Sequence, residues 1–158
     1  MIKENDIKSG GFYPFQLDRF VKAQERVYDS VLEELREGQK RSHWMWFIFP
    51  QIDGLAHSTT SKYYAIKSTE EAHRFLDHPV LGKRLIECAE TVLAIMGRSI
   101  SQIFGYPDDM KLKSSMTLFA HVTDWNPSSV FVRVLDKYFK GERDVKTLEI
   151  LKKLKDIV

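Results

Sequence analysis

The sequence predicts an all-α protein, a compact single-domain orthogonal bundle of about six to eight helices. Three observations lead there. Apolar residues recur at three- and four-residue steps along nearly every long segment, the spacing that puts one stripe on the inner face of a helix. Glycines and prolines fall where those stripes stop and start. No segment offers a clear partner strand, because almost every long stretch carries the helical period.

The first stripe, Phe20, Ala23, Val27, Val31 and Leu35, predicts a helix over about Asp18–Glu37, with Asp18 as N-cap and Gly38 as the left-handed residue past its end. Glu33, Glu34, Arg36 and Glu37 form its solvated side. Residues 1–16 contain Gly10, Gly11 and Pro14 without periodicity. They are expected to be a flexible lead-in with Phe12, Tyr13 or Phe15 docked, leaving 17–158 as the domain.

The next stretch, Lys40 to Gln51, has no counterpart elsewhere in the chain. Lys40, Arg41 and His43 run into seven apolar residues, of which Trp44, Trp46, Phe47 and Phe49 are aromatic. Such a block belongs in or through the core, with the basic groups held at its edge. A short buried helix over Ser42–Phe49, ended by Pro50, is expected. Gln51–Ser61, with Gly54 and a run of hydroxyl residues, reads as the one long loop.

Ser68 with Glu71 is a capping-box pattern that opens a helix carrying Ala72, Phe75 and Leu76 inward. Pro79 suits the first turn of another, which buries Leu81, Leu85, Cys88, Ala89, Val92 and Met96 before Gly97. Ser99–Phe104 makes one or two turns closed by Gly105. Pro107, Asp108 and Asp109 open a helix buried through Leu112, Met116, Phe119 and Ala120, the carboxylates favouring the positive end of its dipole. Asn126-Pro127 starts a helix burying Val130, Phe131, Val134, Leu135 and Tyr138. The last helix, about Asp144–Ile157, buries Leu148, Leu151 and Leu154 and exposes lysines.

Composition excludes several functional classes. With 24 basic and 22 acidic residues the net charge is only +2, which argues against a nucleic-acid or membrane-surface binder. The longest apolar run falls far short of the roughly 20 residues needed to span a bilayer. The N-terminus lacks the apolar core of a signal peptide. The single Cys88 allows no internal disulfide and sits among buried apolar positions, so a cytoplasmic location is expected. No zinc-binding spacing, phosphate-binding glycine loop, dinucleotide fingerprint or serine elbow occurs, and no cofactor or metal is called for.

Several blocks in order carry a resemblance. Asp18-Arg19-Phe20, the Gln24…Tyr28 spacing, the whole Lys40–Gln51 stretch, Ser58-x-x-Ser61-x-x-Tyr64-Ala65-Ile66, His78-Pro79-Val80-Leu81-Gly82, Ile103-Phe104-Gly105 and the run from Asp108 to Phe119 together resemble the uncharacterised DUF1810 family. The resemblance extends from about residue 17 to 151 and implies a mainly helical single domain. It implies no activity. Members are sometimes labelled calpastatin, a label this folded and non-repetitive chain does not support. Ala56 stands where the family pattern often has a second glycine.

Three polar sets are the candidate site: Lys40, Arg41, His43 and Gln51; Ser58, Ser61 and Tyr64; and Asp108, Asp109, Lys111, Ser114 and Ser115. Gathered around a cleft walled by Trp44 and Trp46, they would bind a small anionic ligand, phosphorylated or nucleotide-like. The cations would take the phosphate, the hydroxyls would hydrogen-bond and an indole would stack. His43 or Asp109 would then be the proton-transfer group. Each set has a plainer reading, as helix-end carboxylates, serine caps, a core-edge histidine or core tryptophans. Two other functions are open to the chain: an interaction module using exposed aromatics of Trp44–Phe49, and an N-glycosidic or ADP-ribose hydrolase resting on carboxylates and a histidine in one cleft. Whether it is an enzyme is not legible in these residues.

Overall fold

The structure, a computed structural model, describes residues 16–157. The expected lead-in, with Phe12, Tyr13 and Phe15, lies outside the described residues. Among those described, the chain forms ten helices: α1 Asp18–Glu25, α2 Tyr28–Arg36, α3 Met45–Ile48, α4 Thr59–Tyr64, α5 Thr69–Asp77, α6 Leu81–Ala94, α7 Ile100–Phe104, α8 Asp108–Val122, α9 Val130–Phe139 and α10 Val145–Ile157. One isolated parallel bridge, between Ile52 and Ile66, accompanies them. The helical class is as expected, and the count exceeds six to eight for two reasons. The first predicted helix breaks at Arg26–Val27, and the long loop contains α4. The break lets α1 face α3 while α2 faces α6.

Two helices organise the packing. α6 lies against α2, α3, α5 and α9, and α8 against α5, α7, α9 and α10. With four neighbours, α8 is buried all round from Ser114 to Ala120, not only along the Leu112–Met116–Phe119–Ala120 stripe. Hydroxyls at three of these positions keep the helix thin enough for close neighbours. Ser114 Oγ reaches the Met110 carbonyl and the Asp144 carboxylate, both at 3.2 Å. Thr117 Oγ1 donates to the Lys113 carbonyl at 2.8 Å and accepts the Asp144 amide at 2.9 Å. Asp144 in turn accepts from the Thr147 amide at 3.0 Å, which starts α10.

Several helix ends differ from expectation. Asp18 lies in the first turn of α1, and Leu17 occupies the cap position without a side-chain hydrogen bond. Ser129, not Asn126, caps α9 through the Phe131 and Val132 amides; Asn126 instead accepts the Ser128 amide at 2.9 Å in a local turn. Ser68 does cap α5, accepting from the Glu71 amide at 3.1 Å. Glu71 returns to the Lys67 amide at 2.6 Å rather than to Ser68. Its second oxygen is drawn to Arg19 at 3.0 Å. Met96 is 88% exposed, because Ile95 turns extended after α6 and carries it outward. Gly38, Gly97 and Gly105 take the left-handed φ anticipated at helix ends.

The corner between α5 and α6 is the tightest in the fold. A Cβ on Gly82 would lie 1.9 Å from the Leu76 carbonyl oxygen, so only glycine permits this approach. His78 closes the same corner. Its Nδ1 accepts the amides of Val80 at 3.1 Å and Leu81 at 3.2 Å, which makes an imidazole the cap of α6. Burial lowers the His78 pKa from its ordinary 6.5, outweighing the opposing pull of Asp18. The neutral ring is the capping form, so this contribution is present above pH 6.5 and is lost as pH falls through the folded value. His78→Asn, which caps at any pH, is expected to flatten the loss of stability between pH 7 and 5 by about 0.5–1 kcal/mol. His121 is also lowered by burial and responds in the same direction, so the wild-type-minus-variant difference in urea midpoints is the quantity to read. An unchanged pH profile would remove the cap from the account.

Candidate functional site

Glu34 shapes the segment that leads into the aromatic block. The apolar stripe puts it on the solvated side of the predicted Asp18–Glu37 helix, yet it is 8% exposed. Its carboxylate accepts the Arg41 amide at 2.7 Å, the Ser42 amide at 3.1 Å and the Trp44 indole N–H at 2.9 Å, and it also binds the Ser42 hydroxyl. Burial alone would raise its pKa, but these hydrogen bonds outweigh it and hold the group at about 2, below its ordinary 4.5. Glu34→Ala is expected to cost about 2 kcal/mol in chemical denaturation at neutral pH, because buried donors lose their acceptor. The stabilisation is present above pH 4.5 and lost as pH falls towards 2, so the penalty should shrink in acid. A penalty independent of pH would exclude the carboxylate as its origin.

With this segment fixed, Trp44, Met45, Ile48 and Phe49 enter the core, while Trp46 and Phe47 remain half-exposed. The helix is limited to Met45–Ile48, shorter than Ser42–Phe49, because Glu34 holds the preceding backbone in a loop. Gln24, buried on α1, donates to the Phe47 carbonyl at 2.8 Å and sets the rotation of α3.

Lys40 joins this segment to α8. Its backbone amide donates to the Ile103 carbonyl at 2.7 Å, and its ammonium, 5.0 Å from the Trp44 ring centroid, pairs with Asp108 at 2.9 Å. Asp108 also meets Lys111 at 3.5 Å, and the Lys111 ammonium lies 5.4 Å from the centroid of Trp46. Two lysines therefore share one carboxylate, and one of them rests over a half-exposed indole.

Trp46 then rims a narrow notch with Gln51, Leu55, Ala56, Ser61 and Tyr64. Its interior of about 10 Å³ has room for about one water. The far wall is held by backbone pairing: Ile66 donates to the Gln51 carbonyl, and Asp53 to the Ile66 carbonyl, both at 2.8 Å. Ser58 caps α4 by accepting the Ser61 amide at 3.1 Å, and its hydroxyl donates to Ser61 Oγ at 2.7 Å. Phe47 packs on Tyr64 with ring centroids 5.4 Å apart.

The structure thus brings together Lys40, Asp108, Lys111, Trp46, Gln51, Ser61 and Tyr64 as one strip, with Ser58 behind it. Other candidates lie apart from it. The Arg41 guanidinium is 52% exposed and pairs with Glu37, the residue that ends α2. His43 is exposed and makes no side-chain hydrogen bond among the described residues. Asp109 accepts the Met110 amide at 2.8 Å, a helix-end role. Neither His43 nor Asp109 lines the notch. Trp44 faces the core, and Ser114 is engaged with Asp144. Ser115 is fully buried one turn after Lys111, its hydroxyl without a partner among the described residues.

Cys88 is buried, and desolvation pushes its thiol up to about 12, which leaves it protonated and inert at neutral pH. Among the described residues no group of three or more His, Cys, Asp or Glu could hold a metal ion, and no helix is long and apolar enough to cross a membrane.

Comparison with known proteins places this architecture. A crystal structure at 1.38 Å, described as the conserved hypothetical protein Rv1873 from Mycobacterium tuberculosis, is similar at a TM-score of 0.85 and 55% identity. The match covers 88% of this chain and 98% of that one. No curated protein matches the chain. The family model for a protein of unknown function, DUF1810, matches residues 14–151. With every block of the site inside that span, the chain belongs to the DUF1810 family.

Proposed function

We propose that this protein binds a small anionic, ring-bearing ligand, phosphorylated or nucleotide-like, across the mouth of the Trp46 notch. The observation that supports this reading is the Lys40–Asp108–Lys111 cluster beside a half-exposed indole. One carboxylate shared between two ammonium groups leaves a local excess of positive charge, and Lys111, only partly buried, can turn to an anion without vacating the ring. Gln51 and Ser61 add neutral hydrogen-bonding groups on the opposite rim. The notch is too narrow to engulf a ring, so the ligand lies over it. The hydrolase alternative draws nothing from the geometry, since His43 and Asp109 share no part of the notch.

The test is a thermal-shift screen of wild type and Lys111→Ala against nucleotides, nicotinamide dinucleotides and sugar phosphates. A ligand at a hundred times its Kd stabilises by about 2.7 kcal/mol, a Tm rise of about 5–10 °C for a chain of this size. Lys111→Ala should lose that rise while melting near the wild type. No shift with any ligand, or the same shift in both proteins, overturns the proposal.

A docking role for a protein partner has one observation in its favour. Tyr63, 56% exposed, packs edge-on against Tyr64 at 4.8 Å and extends the half-exposed row of Phe47 and Trp46. Tyr63→Ser should then abolish partner capture while leaving any thermal shift intact.

A further inference from the structure

A second hollow opens between the start of α5, the end of α8 and α10. It is roomy, with a volume of about 930 Å³, within the range of small-molecule sites. Its floor is Val122, Leu148, Leu151 and Leu154. The sequence assigned those leucines to the buried face of the last helix, yet Leu148 and Leu154 are only half-buried, so the apolar stripe of α10 is left partly uncovered. His73 and His121 rise from α5 and α8, and Lys152 and Lys155 from α10. Among the described residues none of these four side chains makes a hydrogen bond or an ion pair.

We propose that this groove binds an amphiphilic anion: an acyl or alkyl chain on the leucine floor, with its carboxylate or phosphate held near His73, His121 and Lys155. Both halves of the ligand answer to something in the groove. The half-covered leucines recover apolar contact when a chain lies along them. From Leu148 to Lys155 the helix advances about 10 Å, which suits a chain of roughly eight carbons. At the headgroup end Lys155 and Arg143 are the cations within electrostatic reach of His121, with Asp124 as a nearby carboxylate; His121, lowered by burial, serves there as a neutral hydrogen-bonding ring. Arg143 is held there by stacking on Trp125, 3.6 Å from the ring centroid. Glu70, one turn before His73 on α5, is a second carboxylate on the rim and lowers the cationic excess on that side.

The test uses the full chain and calorimetric titration with octyl phosphate, octanoate and octyltrimethylammonium, each kept below its micelle concentration. Both anions should bind and the cation should not. Lys155→Glu and His73→Glu, both at exposed positions and so without effect on folding, should each weaken anion binding about tenfold or more. Lys111→Ala at the Trp46 notch should leave it unchanged, which separates this site from the one above. Equal binding of cation and anions, no binding of either anion, or affinities unmoved by both charge reversals would overturn the proposal.

Discussion

Arg19→Met is expected to destabilise the protein by about 3–5 kcal/mol in urea denaturation, the scale for removing one partner of a buried ion pair. Arg19 and Glu71 pair at 3.0 Å with side chains 7% and 0% exposed. The guanidinium also donates to the carbonyls of Tyr63 at 2.7 Å, Gln16 at 2.6 Å and Ala65 at 3.0 Å. Methionine fills the space of the stem but leaves a buried carboxylate and several carbonyls unanswered. The change also releases the segment that carries Tyr64, so the notch should widen along with the loss of stability. A loss below about 1 kcal/mol would show that water replaces the guanidinium, and the buried pair would no longer explain the docking of α4.

Gly82→Ala is the second large effect, and its sign makes it informative. Helix propensity alone favours alanine, by less than the roughly 1 kcal/mol of a helix interior because Gly82 lies in the first turn of α6. The close approach to α5 opposes this, because the new methyl would stand 1.9 Å from a backbone oxygen that no rotamer change can move. Separating the two helices disturbs Phe75, Leu81 and Leu85 together, all essentially fully buried. A destabilisation of about 3 kcal/mol or more is expected, with the melting temperature as the simplest readout. A neutral or stabilising result would mean that the α5–α6 corner relaxes freely.

How much of this was legible beforehand depended on the range of the interaction. Helix ends with local signals, such as Ser68, Ser99 and Gly105, could be read because cap and capped amide are a few residues apart. The burial of Trp44 and Phe49 followed from bulk and polarity. What could not be read was long-range. Glu34 has the sequence context of a surface glutamate, and only the return of residues 41–44 over α2 makes it a buried acceptor. Arg19 and Glu71 have the whole of α2, α3 and α4 between them. In the candidate site, Lys40, Asp108 and Lys111 could be named from their types and positions. That Arg41 and His43 diverge from Lys40 is set by the turn that Glu34 imposes, for which the residues themselves carry no signal. The half-covered leucines of α10 were likewise hidden, since an apolar stripe does not say how much of it a neighbour will cover.

Gly54 has φ +109°, and a Cβ there would meet the Ile150 side chain of α10 at 3.2 Å. The tip of the loop between α3 and α4 is thus seated directly on the final helix, bare backbone against a branched hydrocarbon. A side chain placed at Gly54 would press on Ile150 and so on the seat of α10. The chain's last helix therefore anchors the loop that forms one side of the notch, and fraying of α10 should loosen that loop with it.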